Sequence, residues 1–318
     1  MSTATEGRAP SSPLQLSWRE WLEVFKRTGK QFIADDCMGL GQQVAFSSLF
    51  AFLPTVILLI GLLGLFGTGA FDSLEHFVGS VAPHGVLDVI DLAKQDAARN
   101  KSGSAVAFVG GLFLALWAST GAMGALIKAV NRAYDRVETR PFWKQRLIAL
   151  LLVVATGLVL AGVFLLIVFG GDLGDAIVRR TGLGHSFKVF WNIARWPIAF
   201  GAVLLFNALV YYLAPNMQPR SWRWITPGSV VAALTWLVLS GLFALYTSYS
   251  SSYTRTYGSI AGAIVLLLWL YYSALAILFG AELNAELERR RQIDGGMRPV
   301  DKEPYLPPRD APDDEEAG

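Results

Sequence analysis

Long apolar segments separated by short polar ones dominate the pattern of this chain. The clearest of them runs from Thr256 to Ala281, 26 residues without a charged side chain. A helix of that length exceeds a bilayer's hydrocarbon core, which is about 30 Å thick. Soluble core helices are seldom both this long and this apolar. The segment therefore predicts a transmembrane helix.

Five further apolar runs precede it, and together they predict an all-α, polytopic membrane protein with six transmembrane helices. The spans are placed at 43–66, 104–130, 147–170, 193–213, 226–248 and 258–283. The membrane domain then covers 16–291. The polar ends of the chain, 1–15 and 292–318, are predicted to be disordered tails.

A short amphipathic helix is predicted before the first span. Ser17 can cap it, and Trp18, Trp21 and Phe25 fall near one face while basic residues lie elsewhere. This pattern is typical of an interfacial helix that lies on a membrane. The alternative is an ordinary amphipathic helix packed on protein.

Composition agrees with a membrane protein. Hydrophobic residues make up 53% of the chain and charged residues 16%, whereas soluble domains carry about 25% charged residues. Cys37 is the single cysteine, so an internal disulfide is excluded. The first residues lack the apolar region of a signal peptide, and we expect no cleavable signal.

The distribution of basic residues predicts the orientation in the membrane. Six spans place both termini on one side. The segments on that side hold 19 Lys and Arg residues and the opposite segments hold 8. Because basic residues accumulate on the cytoplasmic side, both termini are predicted to be cytoplasmic, in a bacterial inner membrane.

Small residues four positions apart predict close helix contacts in lipid. Gly258 and Gly262 form such a face on the sixth span, and Gly111, Ala115 and Ser119 form one on the second. We expect these two faces to pack against each other.

Polar side chains inside the spans are costly in lipid and should face protein or a wet cavity. The candidate cavity or gate residues are Glu282, Lys128, Arg132, Gln42, Gln43, Ser47 and Asn207. Glu282 lies at the predicted depth of Lys128 and Arg132, so we expect it to pair with one of them and to join the inner ends of the second and sixth helices. The alternative is that these polar groups pair with one another as structural contacts.

Several of these stretches resemble the YihY/BrkB family of bacterial inner-membrane proteins. The matching motifs are AFSSLF at 45–50, LWASTG at 116–121 and GAELNA at 280–285. The resemblance covers about residues 18–290 and implies six transmembrane helices. Members of the family have been labelled ribonuclease BN-like or virulence factors, and a role in moving lipids to the outer envelope has been suggested for some.

The residues themselves disfavour the ribonuclease label. His76, His84 and His185 all fall in predicted outer loops, and no HxH, HxxE or DxD pattern occurs on the inner side. The Asp35-Asp36 pair is interpreted as a helix cap and an interfacial acid. We therefore expect no enzyme activity, no catalytic residue, no metal, no cofactor and no nucleic-acid partner.

Two functional hypotheses remain. The first is transport or flipping of a lipid or other amphiphile for the cell envelope, without an ATPase of its own because no GxxxxGK[ST] loop occurs. The second is a non-transporting scaffold that recruits an envelope protein. A laterally open cavity would favour transport with membrane lipids as partners, and a tightly filled helix bundle would favour the scaffold.

Overall fold

The computed structural model describes residues 13–66, 94–95, 101–168, 178, 180, 185–217, 222–249 and 259–294. A short 3-10 helix, Pro13–Gln15, precedes seven long helices. They are α1 (Trp18–Ala34), α2 (Cys37–Phe66), α3 (Lys101–Ala133), α4 (Phe142–Val168), α5 (His185–Leu213), α6 (Trp222–Tyr249) and α7 (Ser259–Asp294).

Helices α2 to α7 are long and apolar enough to cross a membrane. The prediction of an all-α chain with six spans after an N-terminal helix is confirmed. The outer loops, Gly258 and most of both tails lie outside the described residues, so the predictions made for them remain predictions.

Most of the helices extend beyond the predicted spans. The sixth span was predicted to end at 283, but α7 continues to Asp294, and α2 begins at Cys37 rather than at 43. The hydropathy pattern marks only the part of a helix that lies in lipid. Glu, Arg, Leu and Gln are strong helix formers, so the helix continues where the sequence turns polar.

Helix α1 begins with the predicted Ser17 cap. The Glu20 N–H donates to Ser17 Oγ at 3.4 Å and the Ser17 N–H donates to Glu20 Oε2 at 2.7 Å, a complete capping box. The hydrogen bonds that the Ser17 backbone N–H and hydroxyl donate to the Glu20 carboxylate hold its pKa below the ordinary value. Buried Val24 joins Leu283 and Leu287 of α7 in one cluster, whereas Trp18 is exposed. The helix therefore packs on protein along one face and presents an aromatic residue elsewhere.

The six spanning helices form a ring in chain order. Each of α2 to α6 contacts the helix that follows it, and α7 closes the ring by packing against α2. Helix α7 also contacts α1 and α3. Sequential helices are therefore neighbours, and α7 contacts four of the other described helices.

Two contacts between helices bring backbones together at glycine. Gly111 of α3 lies against the backbone of Leu58 on α2, and Gly61 of α2 lies against the backbone of Phe108 on α3. Gly280 of α7 similarly meets Gly228 of α6. A side chain at any of these positions would collide with backbone atoms, so the small residues permit the approach.

The predicted close contact of the sixth span at Gly262 is wrong. Gly262 is exposed, and no described atom lies within 4 Å of the position of a Cβ there. The small-residue face of α3 packs on α2 instead, with Gly111 and Ala115 both buried and Ser119 half-buried. Helix α7 makes its close approach five turns further along, at Gly280.

We predict that Gly280→Ala destabilises the protein and that Gly262→Ala does not. The added methyl at Gly280 would collide with the Gly228 carbonyl and the Tyr211 hydroxyl. Overpacking of this kind costs about 1–3 kcal/mol. Thermal unfolding in detergent should show a lower Tm for Gly280→Ala alone, and equal Tm values for both variants would contradict the packing described here.

The orientation can be tested with single cysteines in a Cys37→Ser background. Val137, which is 80% exposed, lies between α3 and α4, and exposed Ser186 lies at the other end of the ring near the start of α5. In intact cells, we expect an impermeant thiol reagent to label Ser186→Cys and to spare Val137→Cys, and permeabilised cells should label both. The opposite labelling pattern would place the termini outside.

Candidate functional site

Glu282 lies on α7 with no exposed surface. Its Oε1 accepts a hydrogen bond from the thiol of Cys37, the first residue of α2, at a distance of 3.3 Å. Its charged neighbours include the acids Asp35 and Glu286. Within the described part of the chain it forms no ion pair with a base, so the predicted pairing with Lys128 or Arg132 is wrong. The contact joins α7 to α2 rather than to α3.

Arg132 pairs with a different acid. Its Nη2 lies 3.0 Å from Oδ1 of Asp35, whose side chain is 3% exposed, while that of Arg132 is 58% exposed. The pair connects α3 to the junction of α1 and α2. Lys128, one turn earlier on α3, is exposed.

The two acids at the α1–α2 junction have separate structural roles. Asp36 has a positive φ of 52°, the left-handed conformation that Asp tolerates at a helix end. Its Oδ1 accepts from the Gly39 N–H at 3.3 Å and so caps α2. The interpretation of this pair as a cap and an interfacial acid fits the structure, with Asp35 as the acid that Arg132 neutralises.

Ion pairs near the end of α7 connect that helix to its neighbours. Arg289 lies 2.8 Å from Asp135, after α3, and Arg290 lies 2.9 Å from Glu20 of α1. From α1, Arg27 lies 3.2 Å from Glu286 of α7. Opposite charges therefore tie α1, α7 and the end of α3 together at one end of the ring.

Arg140 organises the connection between α3 and α4. Its buried guanidinium donates to the carbonyl of Ala214 at 2.7 Å and to Glu138 Oε1 at 2.7 Å. The first contact neutralises the carbonyl end of α5. Burial raises the pKa of Glu138, but the hydrogen bonds and charge of Arg140 outweigh it and hold this pKa below its ordinary value.

A cavity of about 580 Å³ lies beside this connection, between the end of α3 and the start of α4. We call it the basic cavity. Its ionisable lining residues are Lys128, Arg132, Arg136, Arg146 and Glu138. Polar side chains of Thr120, Asn131 and Gln145 also line it. Four cations and one acid give the cavity a positive character.

Two apolar cavities lie deeper in the ring. The central cavity, about 290 Å³, is lined by residues of all six spans, among them Ser48, Asn207 and Trp269. The side cavity, about 500 Å³, lies among α2, α3 and α4, and Leu270 of α7 completes its lining. Both cavities are lined by Ser48 and Met123, so they adjoin.

The side cavity reaches the outer surface of the ring. Val154 and Leu160 of α4 line it, and these residues are 46% and 64% exposed. Gly157, between them on α4, also lines it, and no described atom lies within 4 Å of the position of a Cβ there. Along α3 and α4 the helices therefore leave space, whereas α2 and α3 are in close contact.

The remaining predicted site residues divide into two groups. Asn207 lines the central cavity, where its Nδ2 donates to the Val203 carbonyl at 3.0 Å. Gln42 and Gln43 are exposed on α2, Ser47 is half-buried, and none of these three lines the basic, side or central cavity. Their position on the outer face of α2 is set by the rotation of that helix, which the spacing of polar residues does not reveal.

Several residues of the site were missed by the sequence reasoning. Arg146 and Arg136 line the basic cavity, and Thr156 lines both apolar cavities. The dense basic segment from 128 to 146 was a signal for the first two, but it served only to predict orientation. A single threonine in an apolar helix carried no comparable signal.

In the described part of the chain, no group of three or more His, Cys, Asp and Glu side chains is placed to hold a metal ion. The side chains of all three histidines lie outside that part. The expectations of no catalytic residue, no metal and no cofactor stay predictions.

We predict that Arg132→Ala destabilises the protein because it leaves the buried Asp35 carboxylate without its cation. An unsatisfied buried polar group costs about 1–3 kcal/mol, and more when it is charged. Lys128→Ala is the matched control, since this lysine forms no ion pair among the described residues. The Tm in detergent should fall for Arg132→Ala alone, and Asp35→Asn should restore part of the loss. A Tm unchanged by Arg132→Ala would show that the pair contributes nothing.

Comparison with known proteins agrees with this architecture. The family described as Virulence factor BrkB matches residues 28–303. YfkH of Bacillus subtilis (strain 168), named only as ribonuclease-like, is 32% identical over 258 residues, which cover 81% of this chain and 89% of that protein.

A UPF0761 membrane protein of Xanthomonas campestris pv. campestris (strain B100) is 24% identical over 297 residues, 88% of this chain and 66% of the relative. The chain thus spans just under two thirds of that relative's length. No solved structure matches the chain. The family match over most of the sequence, together with the six spans, shows that the chain belongs to the BrkB family of multi-pass membrane proteins.

Proposed function

We propose that the protein moves a lipid or other amphiphile across or out of a bacterial cytoplasmic membrane. The observation that carries the proposal is the pair of adjoining apolar cavities inside the ring, one lined by all six spans and the other open at the surface. An amphiphile needs a lateral opening through which to enter such a protein, because its apolar chains lie in the bilayer. The exposed lining residues of α4 supply that route.

The cavities combine an apolar wall with a few polar groups. Ser48, Thr156, Asn207 and Ser273 supply hydroxyl and amide groups within otherwise apolar surfaces. Pockets that bind small molecules have this composition, in which apolar walls give affinity and a few polar groups give orientation. Polar side chains at membrane depth also mark substrate pathways.

The alternative functions have less support. A scaffold needs no internal space, whereas two adjoining cavities lie among the helices of this ring. The ribonuclease-like name belongs to the Bacillus relative, and no observation on the described residues favours that chemistry for this chain.

Filling the side cavity should slow the movement of lipid. Gly157→Leu places a side chain into open space in the cavity, so the fold should tolerate it. In proteoliposomes, loss of fluorescence from an acyl-labelled phospholipid after dithionite addition reports lipid transfer between leaflets. We expect the initial rate to fall by about tenfold, which corresponds to a barrier increase of about 1.4 kcal/mol.

Gly241→Leu is the matched control. Gly241 lies on exposed surface of α6, where a Cβ also meets no described atom within 4 Å, and it lines none of the three cavities. This variant should retain the wild-type rate. The assay is run with labelled phosphatidylglycerol and phosphatidylcholine, with and without a proton gradient. A wild-type rate equal to that of protein-free vesicles in every case would contradict the proposal.

A further inference from the structure

We infer that the basic cavity binds the phosphate of an anionic phospholipid headgroup while the acyl chains of that lipid lie along the space between α3 and α4. This inference rests on the proposed function, and it names the class of amphiphile. Three observations support it: the charge of the cavity, its position next to the apolar side cavity, and the exposed aromatic residues beside it.

The charge of the cavity exceeds what its acids neutralise. Glu138, the one lining acid, is bound by Arg140, which lies outside the lining. Among the described residues, Arg146 contacts only uncharged groups: it donates to Thr120 Oγ1 at 3.3 Å and lies over the rings of Trp117 and Phe142. Lys128 forms no ion pair with any described residue. The charges of Lys128 and Arg146 thus remain available to an anion.

The donor types suit a phosphate. An arginine presents several N–H groups in a planar fork that matches phosphate oxygens, and a lysine adds a point charge. Thr120, Asn131 and Gln145 supply further hydrogen-bonding groups in the same cavity. Basic pockets between transmembrane helices are a known setting for anionic headgroups.

The side cavity lies next to the basic cavity. On α3, Thr120 and Gly121 line the basic cavity, and their neighbours Ser119 and Ala122 line the side cavity. On α4, Ala149 lines the basic cavity and Val153, one turn further, lines the side cavity. A ligand that occupies both cavities needs an anionic head and an apolar body. A water-soluble phosphate would use only the first.

Exposed aromatic residues lie beside the basic cavity. Phe142 is part of its lining, and Arg146, another lining residue, lies over the rings of Phe142 and Trp117. Exposed tryptophans are typical of the level at which headgroups meet the hydrocarbon core. The cavity therefore lies at the depth of a lipid headgroup.

Native mass spectrometry of the delipidated full-length protein tests the inference. The probes are phosphatidylglycerol and phosphatidylcholine with the same acyl chains, and water-soluble glycerol phosphate. We expect tighter binding of phosphatidylglycerol than of phosphatidylcholine and no detectable binding of glycerol phosphate at the same concentration.

The variants Lys128→Gln and Arg146→Gln should each weaken phosphatidylglycerol binding by about fivefold, as expected for one basic residue near an anionic surface, and the double variant by about 25-fold. Lys144→Gln is the matched control, because it removes a cation from the same turn of α4 outside the lining of the basic cavity. This control should retain the preference for phosphatidylglycerol over phosphatidylcholine. If Arg146→Gln does not yield folded protein, the effect of Lys128→Gln on phosphatidylglycerol binding tests the inference by itself, because Lys128 is exposed.

Three results would overturn the inference: equal affinity for the two phospholipids, equal loss in Lys144→Gln and Lys128→Gln, or glycerol phosphate binding as tight as the lipid. These outcomes are separable from failure of the transport proposal. If Gly157→Leu slows lipid transfer but the protein shows no headgroup preference, the transport proposal stands and the anionic site is excluded. If the protein shows a headgroup preference but transfers no lipid, the anionic site stands and the transport proposal is excluded.

Discussion

A helix buried on every side requires partners inside the protein for its polar side chains, and α7 is in this position from Gly280 to Glu288. Glu282 meets Cys37 of α2, and Glu286 meets Arg27 of α1. Between them, Asn284 accepts from the Gly228 N–H of α6 at 2.9 Å and donates to the Ile225 carbonyl at 3.1 Å. The positions of α1, α2 and α6 thus all depend on one stretch of α7.

That arrangement explains why one end of the ring is tightly held. Close backbone approach at Gly280 and Gly228 brings α6 and α7 into contact, and the ion pairs of Arg289 and Arg290 add α1 and the end of α3. Surface ion pairs contribute little individually. Here several of them surround a buried segment, so their main effect is to set the positions of the helices and not to supply stability.

The space in the ring follows from unequal contacts between neighbouring helices. Helices α2 and α3 approach through Gly61 and Gly111, which places α3 close to α2. On the other side of α3, Gly121 and Gly124 meet nothing within 4 Å among the described atoms, and Gly157 of α4 is similarly open. Glycines therefore have two roles in this protein. At one contact they permit close packing, and at the other they leave volume that a ligand can occupy.

The number of spans, their order and the cap of α1 could be predicted from the sequence alone. Backbone groups in lipid must be paired within the protein, and a helix pairs them within one segment, so a long apolar run suffices to identify a span. The capping box is a local interaction among neighbouring residues. The rotation of each helix about its axis was decided only by the tertiary structure. The predicted depths in the membrane placed Glu282 level with Lys128 and Arg132. In the structure, the rotation of α7 places Glu282 against Cys37, and the rotation of α3 places Arg132 against Asp35. The close contact at Gly280 instead of Gly262, and the cavities between α3 and α4, follow from the same rotations, because they depend on which faces of distant segments meet.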